Sequence, residues 1–167
     1  MKPGLEFAPV QFWGLSVYTY SAAVEVNPAG TEPVLTRAQL WHGLTLKAAN
    51  PLEFVPGMQE CSIVERYDDG FLREVVLRGD RLQERITFFE PMAVRFDRVG
   101  VPGWITNTIC ESTFGMLLMF SFSIAFTGIK EGTQQEQDYG ARMRDNYLEA
   151  IKTTLSTTRR LVRDGAI

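Results

Sequence analysis

The longest periodic pattern in the chain lies near its end. From Gln134 to Arg163, the residues Tyr139, Met143, Tyr147, Ala150, Ile151, Thr154, Leu155, Thr158, Leu161 and Val162 recur at steps of three and four, the spacing that lines side chains along one helix face. Thr133 and Glu136 have capping-box spacing at its start, and Gly165 suits its stop. Acidic Glu136 and Asp138 near the first turn, and basic Arg159, Arg160 and Arg163 near the last, complement the helix dipole. Gly140 interrupts the pattern. At roughly 1 kcal/mol against Ala in a helix interior, it predicts a bend or fraying there. At ~1.5 Å per residue such a helix spans about 45 Å, so it runs the length of whatever it packs on.

Upstream, Thr36 and Gln39 form a second capping box, with Leu35 and Leu40 placed as a hydrophobic staple. Leu40, Trp41, Leu44 and Ala48 share a face, and Pro51 ends the run, leaving space for a second short helix before Pro56 and Gly57. A first strand is expected from about Trp13 to Val26, ended by Asn27, Pro28 and Gly30, and residues 1–11 read as an N-terminal arm.

From Met58 the period becomes two. Gly79-Asp80 reads as a glycine-first two-residue turn, which pairs Leu77 with Leu82, Val75 with Glu84, Arg73 with Ile86, Phe71 with Phe88 and, on the other face, Glu74 with Arg85. Asp68-Asp69-Gly70 reads as a three-residue loop that sets Tyr67 opposite Phe71, Glu65 opposite Arg73, Ile63 opposite Val75 and Cys61 opposite Leu77. Met92, Val94 and Phe96, then Ile105, Asn107 and Ile109, then Met116 to Phe126 supply the remaining strands. The plan is α+β: seven antiparallel strands, two short helices after the first, and the long helix. One domain is expected over residues 1–167, with the folded part at 12–163.

Seven strands at ~4.8 Å spacing make a sheet about 29 Å wide, while a helix is about 10–12 Å across. One helix cannot cover it. A sheet curled around the helix should therefore enclose space, and the small residues Ala150, Thr154 and Thr158 on the inner helix face either permit close packing or leave room.

Composition narrows the partners. The 17 basic and 20 acidic side chains leave a net charge of −3, which offers no attraction for nucleic acid or an anionic membrane. The apolar run Phe114 to Ile129 is too short to span a bilayer and holds Ser121, Ser123, Thr127 and Gly128. No signal-peptide pattern opens the chain, and Cys61 and Cys110 read as buried free thiols, so a cytoplasmic location is expected. No phosphate loop, dinucleotide fingerprint, nucleophile elbow or zinc pattern is present, so neither cofactor nor metal is expected. His42, the only histidine, points about 160° from the apolar face of its helix at ~100° per residue and is expected in solvent. Oligomeric state is left open.

The order of elements over residues 12–163 resembles the START or SRPBCC helix-grip superfamily, which includes birch-pollen-type plant allergens, lipid-transfer START domains and aromatic polyketide cyclases. More narrowly, Leu82-Gln83-Glu84-Arg85-Ile86-Thr87-Phe88, Leu35-Thr36-Arg37-Ala38-Gln39-Leu40-Trp41 and Ile105-Thr106-Asn107 resemble the AtaL-like family. The resemblance implies a pocket for a hydrophobic or aromatic small molecule between sheet and long helix, and it brings no settled catalytic residues. The plant allergens carry a glycine-rich loop where this chain has only Asp68-Asp69-Gly70, so no phosphate-cradling role transfers.

The expected register puts Glu65, Arg73 and Glu84 on the otherwise apolar inner face. Two readings stand. Arg73 could bind a ligand carboxylate, enolate or phenolate while Glu84 exchanges a proton, which makes these two the catalytic candidates. Alternatively, the cluster is a buried ion network that sets register. Replacing Arg73 by Met would weaken binding with the fold intact in the first case, and would damage the fold in the second. Asn107 lies inward and needs a partner, and the ligand-binding candidates are completed by Phe88, Phe96, Phe120, Phe122, Tyr139, Met143, Tyr147 and Ile151. Tyr18 and Tyr20 are further phenols on a strand of ambiguous parity. Two functions follow: a module that binds a small apolar or aromatic metabolite, or an enzyme of the cyclase or aromatase kind using Glu84 and Arg73. The sequence alone does not decide whether a reaction is catalysed.

Overall fold

The computed structural model describes residues 16–167; the expected arm and the first residues of the first strand, Trp13 to Leu15, lie outside them. The elements are β1 (Ser16–Glu25), α1 (Arg37–Ala49), β2 (Met58–Tyr67), β3 (Gly70–Leu77), β4 (Asp80–Phe89), β5 (Ala93–Arg98), β6 (Gly103–Ser112), β7 (Gly115–Phe126) and α2 (Gln134–Arg163). All neighbouring strands are antiparallel, in the order β1-β7-β6-β5-β4-β3-β2. The chain thus leaves one sheet edge, forms α1, and re-enters at the opposite edge. Both helices pack on the inner face, where Val94, Phe96, Ile105, Phe120, Phe122 and Ile124 meet Leu40, Leu44, Ile151 and Leu155. Each such side chain, fully buried, contributes about 1.5–3 kcal/mol.

Both helix starts are capped. Thr36 and Gln39 complete the reciprocal box on α1, and the staple residues Leu35 and Leu40 are both buried. On α2, the Thr133 hydroxyl accepts from the Glu136 N–H at 3.3 Å, but the Glu136 carboxylate accepts from Gly132 N–H at 2.8 Å, so the second half of the box is displaced by one residue. At the other end Gly165 adopts φ 69°, its N–H reaches Val162 O at 3.1 Å, and Ala166 N–H reaches Leu161 O at 2.9 Å. This is a Schellman closure, which satisfies the last carbonyls.

Gly140 corrects the expectation of a bend or frayed turn. The helix is continuous through it, and the residue is buried under the Tyr18 ring, where a Cβ would lie 2.6 Å from Tyr18 Cε2. The missing side chain lets the β1 tyrosine ring press on the helix. Gly43 serves the same end between helices, where a Cβ would stand 2.3 Å from Thr158 Oγ1. Of the small residues on α2, Thr158 therefore supports close packing.

The second short helix does not form. Pro51 O accepts from Phe54 N–H at 3.0 Å and Val55 N–H at 2.9 Å, a single turn that Pro56 halts because the residue before a proline is driven out of helical geometry. The cysteines are half-buried rather than buried. His42 is exposed as expected.

Strand register differs from expectation at both hairpins. The β3–β4 turn is Arg78-Gly79, with φ 52° and 90°, so both central residues are left-handed and Leu77 faces Asp80. Arg78 tolerates this conformation while its N–H donates to Gly57 O at 2.9 Å. The observed pairs are Val75 with Leu82, Arg73 with Glu84, Phe71 with Ile86 and Glu74 with Gln83. Because the slip moves each partner by two, every side chain keeps its face. At the β2–β3 turn only Asp68 and Asp69 lie outside the ladder, and the register then shifts between Ile63 and Glu65.

Candidate functional site

Arg73 and Glu84 are cross-strand partners on the inner face, 3% and 5% exposed, where a charge is tolerated only when paired and hydrogen-bonded. Arg73 Nε and Nη2 donate to Glu84 Oε2 at 3.0 and 2.7 Å, while Nη1 donates to Ala48 O at 2.7 Å and Lys47 O at 3.2 Å. The guanidinium therefore ties the last turn of α1 to the sheet, at the negative end of that helix's dipole.

Glu65 is not part of this cluster. The bulge at Val64 sets Ile63 against Arg73 but Glu65 against Leu72, which turns the glutamate to the outer face. There it is exposed and accepts from Tyr67 Oη at 2.8 Å.

The charged residue that does join the site is Lys47, 6% exposed. Its Nζ donates to Asn107 Oδ1 at 2.7 Å and lies 5.9 Å from the Phe96 ring centre, with the Arg73 guanidinium 5.2 Å from the same ring. Asn107 thus finds its partner in a lysine. Burial, then the Arg73 charge, pull the Lys47 ammonium down to about 7, against an opposing pull from Glu84. Sequence reasoning missed this residue. The signal was its position three after Leu44 and seven after Leu40, on the apolar stripe of α1.

These groups form the floor of a cavity of about 110 Å³ between sheet and α2. Its walls include Phe96, Ile105, Met143, Tyr147, Ala150 and Ile151, with Arg98 and Asn146 on the polar side. Val55, Pro56, Met58, Leu77 and exposed Arg78 complete the lining. Tyr147 stacks on Phe122 at 4.4 Å, and burial pushes its phenol up to about 12 although the nearby Arg98 charge pulls the other way. Arg98 Nε is buried with no hydrogen-bond partner among the described residues.

Seven of the expected ligand-binding residues line this space: Arg73, Glu84, Phe96, Asn107, Met143, Tyr147 and Ile151. The others lie elsewhere. Phe88 packs on Trp41 and Phe71, and Phe120 is core against Tyr20. Phe122 stands behind Tyr147, while Tyr139 is 36% exposed and meets Phe126 edge-on. Tyr18 and Tyr20 do point inward, but onto Phe120, Phe122 and Phe126 rather than into the cavity.

A curved antiparallel sheet gripping a long C-terminal helix, with a cavity between them, defines a helix-grip fold. The chain belongs to the AtaL family, described as acetylaranotin biosynthesis cluster protein L, whose sequence model matches residues 20–165. No curated protein matches the sequence. Among solved structures, the di-domain ARO/CYC StfQ from the steffimycin biosynthetic pathway is similar at 12% identity and TM-score 0.65, over 90% of this chain and 52% of that one, so this chain spans about half of that protein. A START superfamily protein from Mycobacterium smegmatis is similar at 9% identity and TM-score 0.60, over 86% and 99% of the two chains. Ara h 8.0201 is similar at 14% identity and TM-score 0.57, over 86% and 98%. At such identities the likeness is one of fold. Among the described residues, no helix is long and apolar enough to cross a membrane.

Proposed function

We propose that the protein binds a small hydrophobic or aromatic molecule in the cavity between the sheet and α2. The observation that carries this reading is an apolar wall of Phe96, Ile105, Met143 and Ile151 closed by a polar floor, the composition typical of small-molecule sites. At about 110 Å³ the space is somewhat smaller than the ~150 Å³ that holds a benzene molecule in an engineered apolar cavity, which limits the enclosed part of the ligand to about one ring or a short chain. A larger molecule would extend beyond this space toward exposed Arg78. Native mass spectrometry of freshly purified protein should show a bound small molecule, or displacement of an environment-sensitive dye by simple aromatics should reveal the site. Failure of both would remove this reading.

A second reading is an enzyme of the cyclase kind, supported by the fold shared with ARO/CYC proteins and by the position of Glu84. Arg73 occupies Glu84 Oε2, which leaves Oε1 to meet a ligand. In that role the carboxylate would move a proton on a substrate held by the cavity, a mechanism that depends on orientation and one acid–base group. A biosynthetic synthase encoded beside the gene would favour this reading, and turnover lost in Glu84→Gln would establish it.

A further inference from the structure

The charges around the cavity do not balance. Arg73 and Glu84 satisfy each other, and the remaining Arg73 donor is committed to α1 carbonyls. Three cationic groups are left without an ion-pair partner among the described residues, and since Arg78 is exposed, Lys47 and Arg98 are the two inside the cavity. Lys47 is the deeper of the two. Its Nζ has three N–H donors, of which the neutral Asn107 amide takes one. A buried ammonium with one uncharged partner is an arrangement that proteins ordinarily avoid.

We propose that Lys47, held by Asn107 and backed by Arg98, recognises an anionic oxygen on the ligand, a carboxylate, enolate or phenolate attached to an apolar or aromatic skeleton. This inference rests on the ligand-binding reading above and adds to it the chemical class of the ligand. The apolar part would lie along Phe96, Ile105 and Ile151, and the oxygen would take the free Lys47 donors. Arg73, the sequence-based candidate for this task, instead holds the α1 terminus in place so that Lys47 points inward.

Protonation is coupled to such binding. The titratable and charged groups around Lys47 are Cys61 on β2, Arg73 on β3, Glu84 on β4, Arg98 on β5 and Tyr147 on α2. Burial raises both the Cys61 thiol and the Tyr147 phenol, so they stay protonated near neutral pH. Lys47 is the group that changes charge there, and an anion would draw a proton onto it.

Benzoate and nitrobenzene have nearly the same shape and differ in charge, so calorimetric titration with both tests the assignment. Benzoate should bind at least ~10-fold more tightly than nitrobenzene at about pH 6, with its affinity falling roughly 10-fold per pH unit above about 7 while nitrobenzene shows no such slope. Lys47→Met should still bind nitrobenzene and lose the preference. Equal affinities, or a preference that survives in Lys47→Met, would overturn the Lys47 assignment and leave the cavity reading standing. If neither compound binds, both fall. Should Lys47→Met fail to fold, the native protein's own preference decides, since equal affinity for benzoate and nitrobenzene is incompatible with the proposal.

Discussion

Replacing Arg73 by Met lowers the stability of the fold by about 3–5 kcal/mol, the typical cost of removing one partner from a buried pair. Glu84, 5% exposed, is left with a charge and no guanidinium, and the Lys47 and Ala48 carbonyls lose their donor. The expected observation is a marked fall in the urea midpoint at neutral pH. Adding Glu84→Leu should restore most of the loss, because replacing both members of a buried pair with apolar groups is often neutral. An unchanged midpoint in the single variant would show that the guanidinium does not tie α1 to the sheet.

Lys47→Met has the opposite expected sign. The Lys47 ammonium is lowered to about 7 in the folded protein from 10.5. Between those values the unfolded chain holds a proton that the folded chain has released, so stability rises as pH increases from about 7 to about 10.5. Below about 7 the full penalty is present. The lowering from 10.5 to about 7 corresponds to about 5 kcal/mol, against which leaving Asn107 without its donor costs ~1–3 kcal/mol. The variant should therefore be about 2–4 kcal/mol more stable at pH 7, with a flatter stability profile between about pH 7 and 9. Denaturant titrations of both proteins across that range measure it. A variant less stable than the parent would mean that the ammonium is well compensated where it sits. A stability cost retained at a cavity floor is what a binding group, rather than a packing group, would carry.

The two substitutions also show which parts of the site were legible in the sequence. The bounds of α2 followed from helical periodicity and end signals, and the inner face of β3 and β4 followed from alternation. Those signals survive local error. The β3–β4 turn was placed one residue late because Arg78 takes a left-handed conformation that favours glycine, yet the face of every side chain was unaffected. The bulge at Val64 had the opposite consequence, since a one-residue shift reverses the face of everything on the turn side and carries Glu65 out of the cluster. No residue type at that position announces a bulge. Lys47 was hidden for a different reason: a lysine in the last turn of a helix ordinarily points to solvent and complements the dipole there. Its burial depends on Asn107, sixty residues away in sequence, and a contact of that range is not encoded in local spacing. Gly140 was read as a flaw because helix propensity is local, whereas its purpose lies in the Tyr18 ring across the interface.

The claim that a small apolar ligand sits between sheet and helix is tested most directly by backbone and methyl NMR shifts on titration with toluene, comparing the native protein with Ala150→Phe. Ala150 lines the cavity from α2, and a phenyl ring there would occupy the space. The account predicts saturable shifts clustered at Phe96, Ile105, Met143, Tyr147 and Ile151 in the native protein, and their disappearance in a variant that keeps a dispersed, folded spectrum. Shifts scattered over the surface, or the same titration in both proteins, would contradict it.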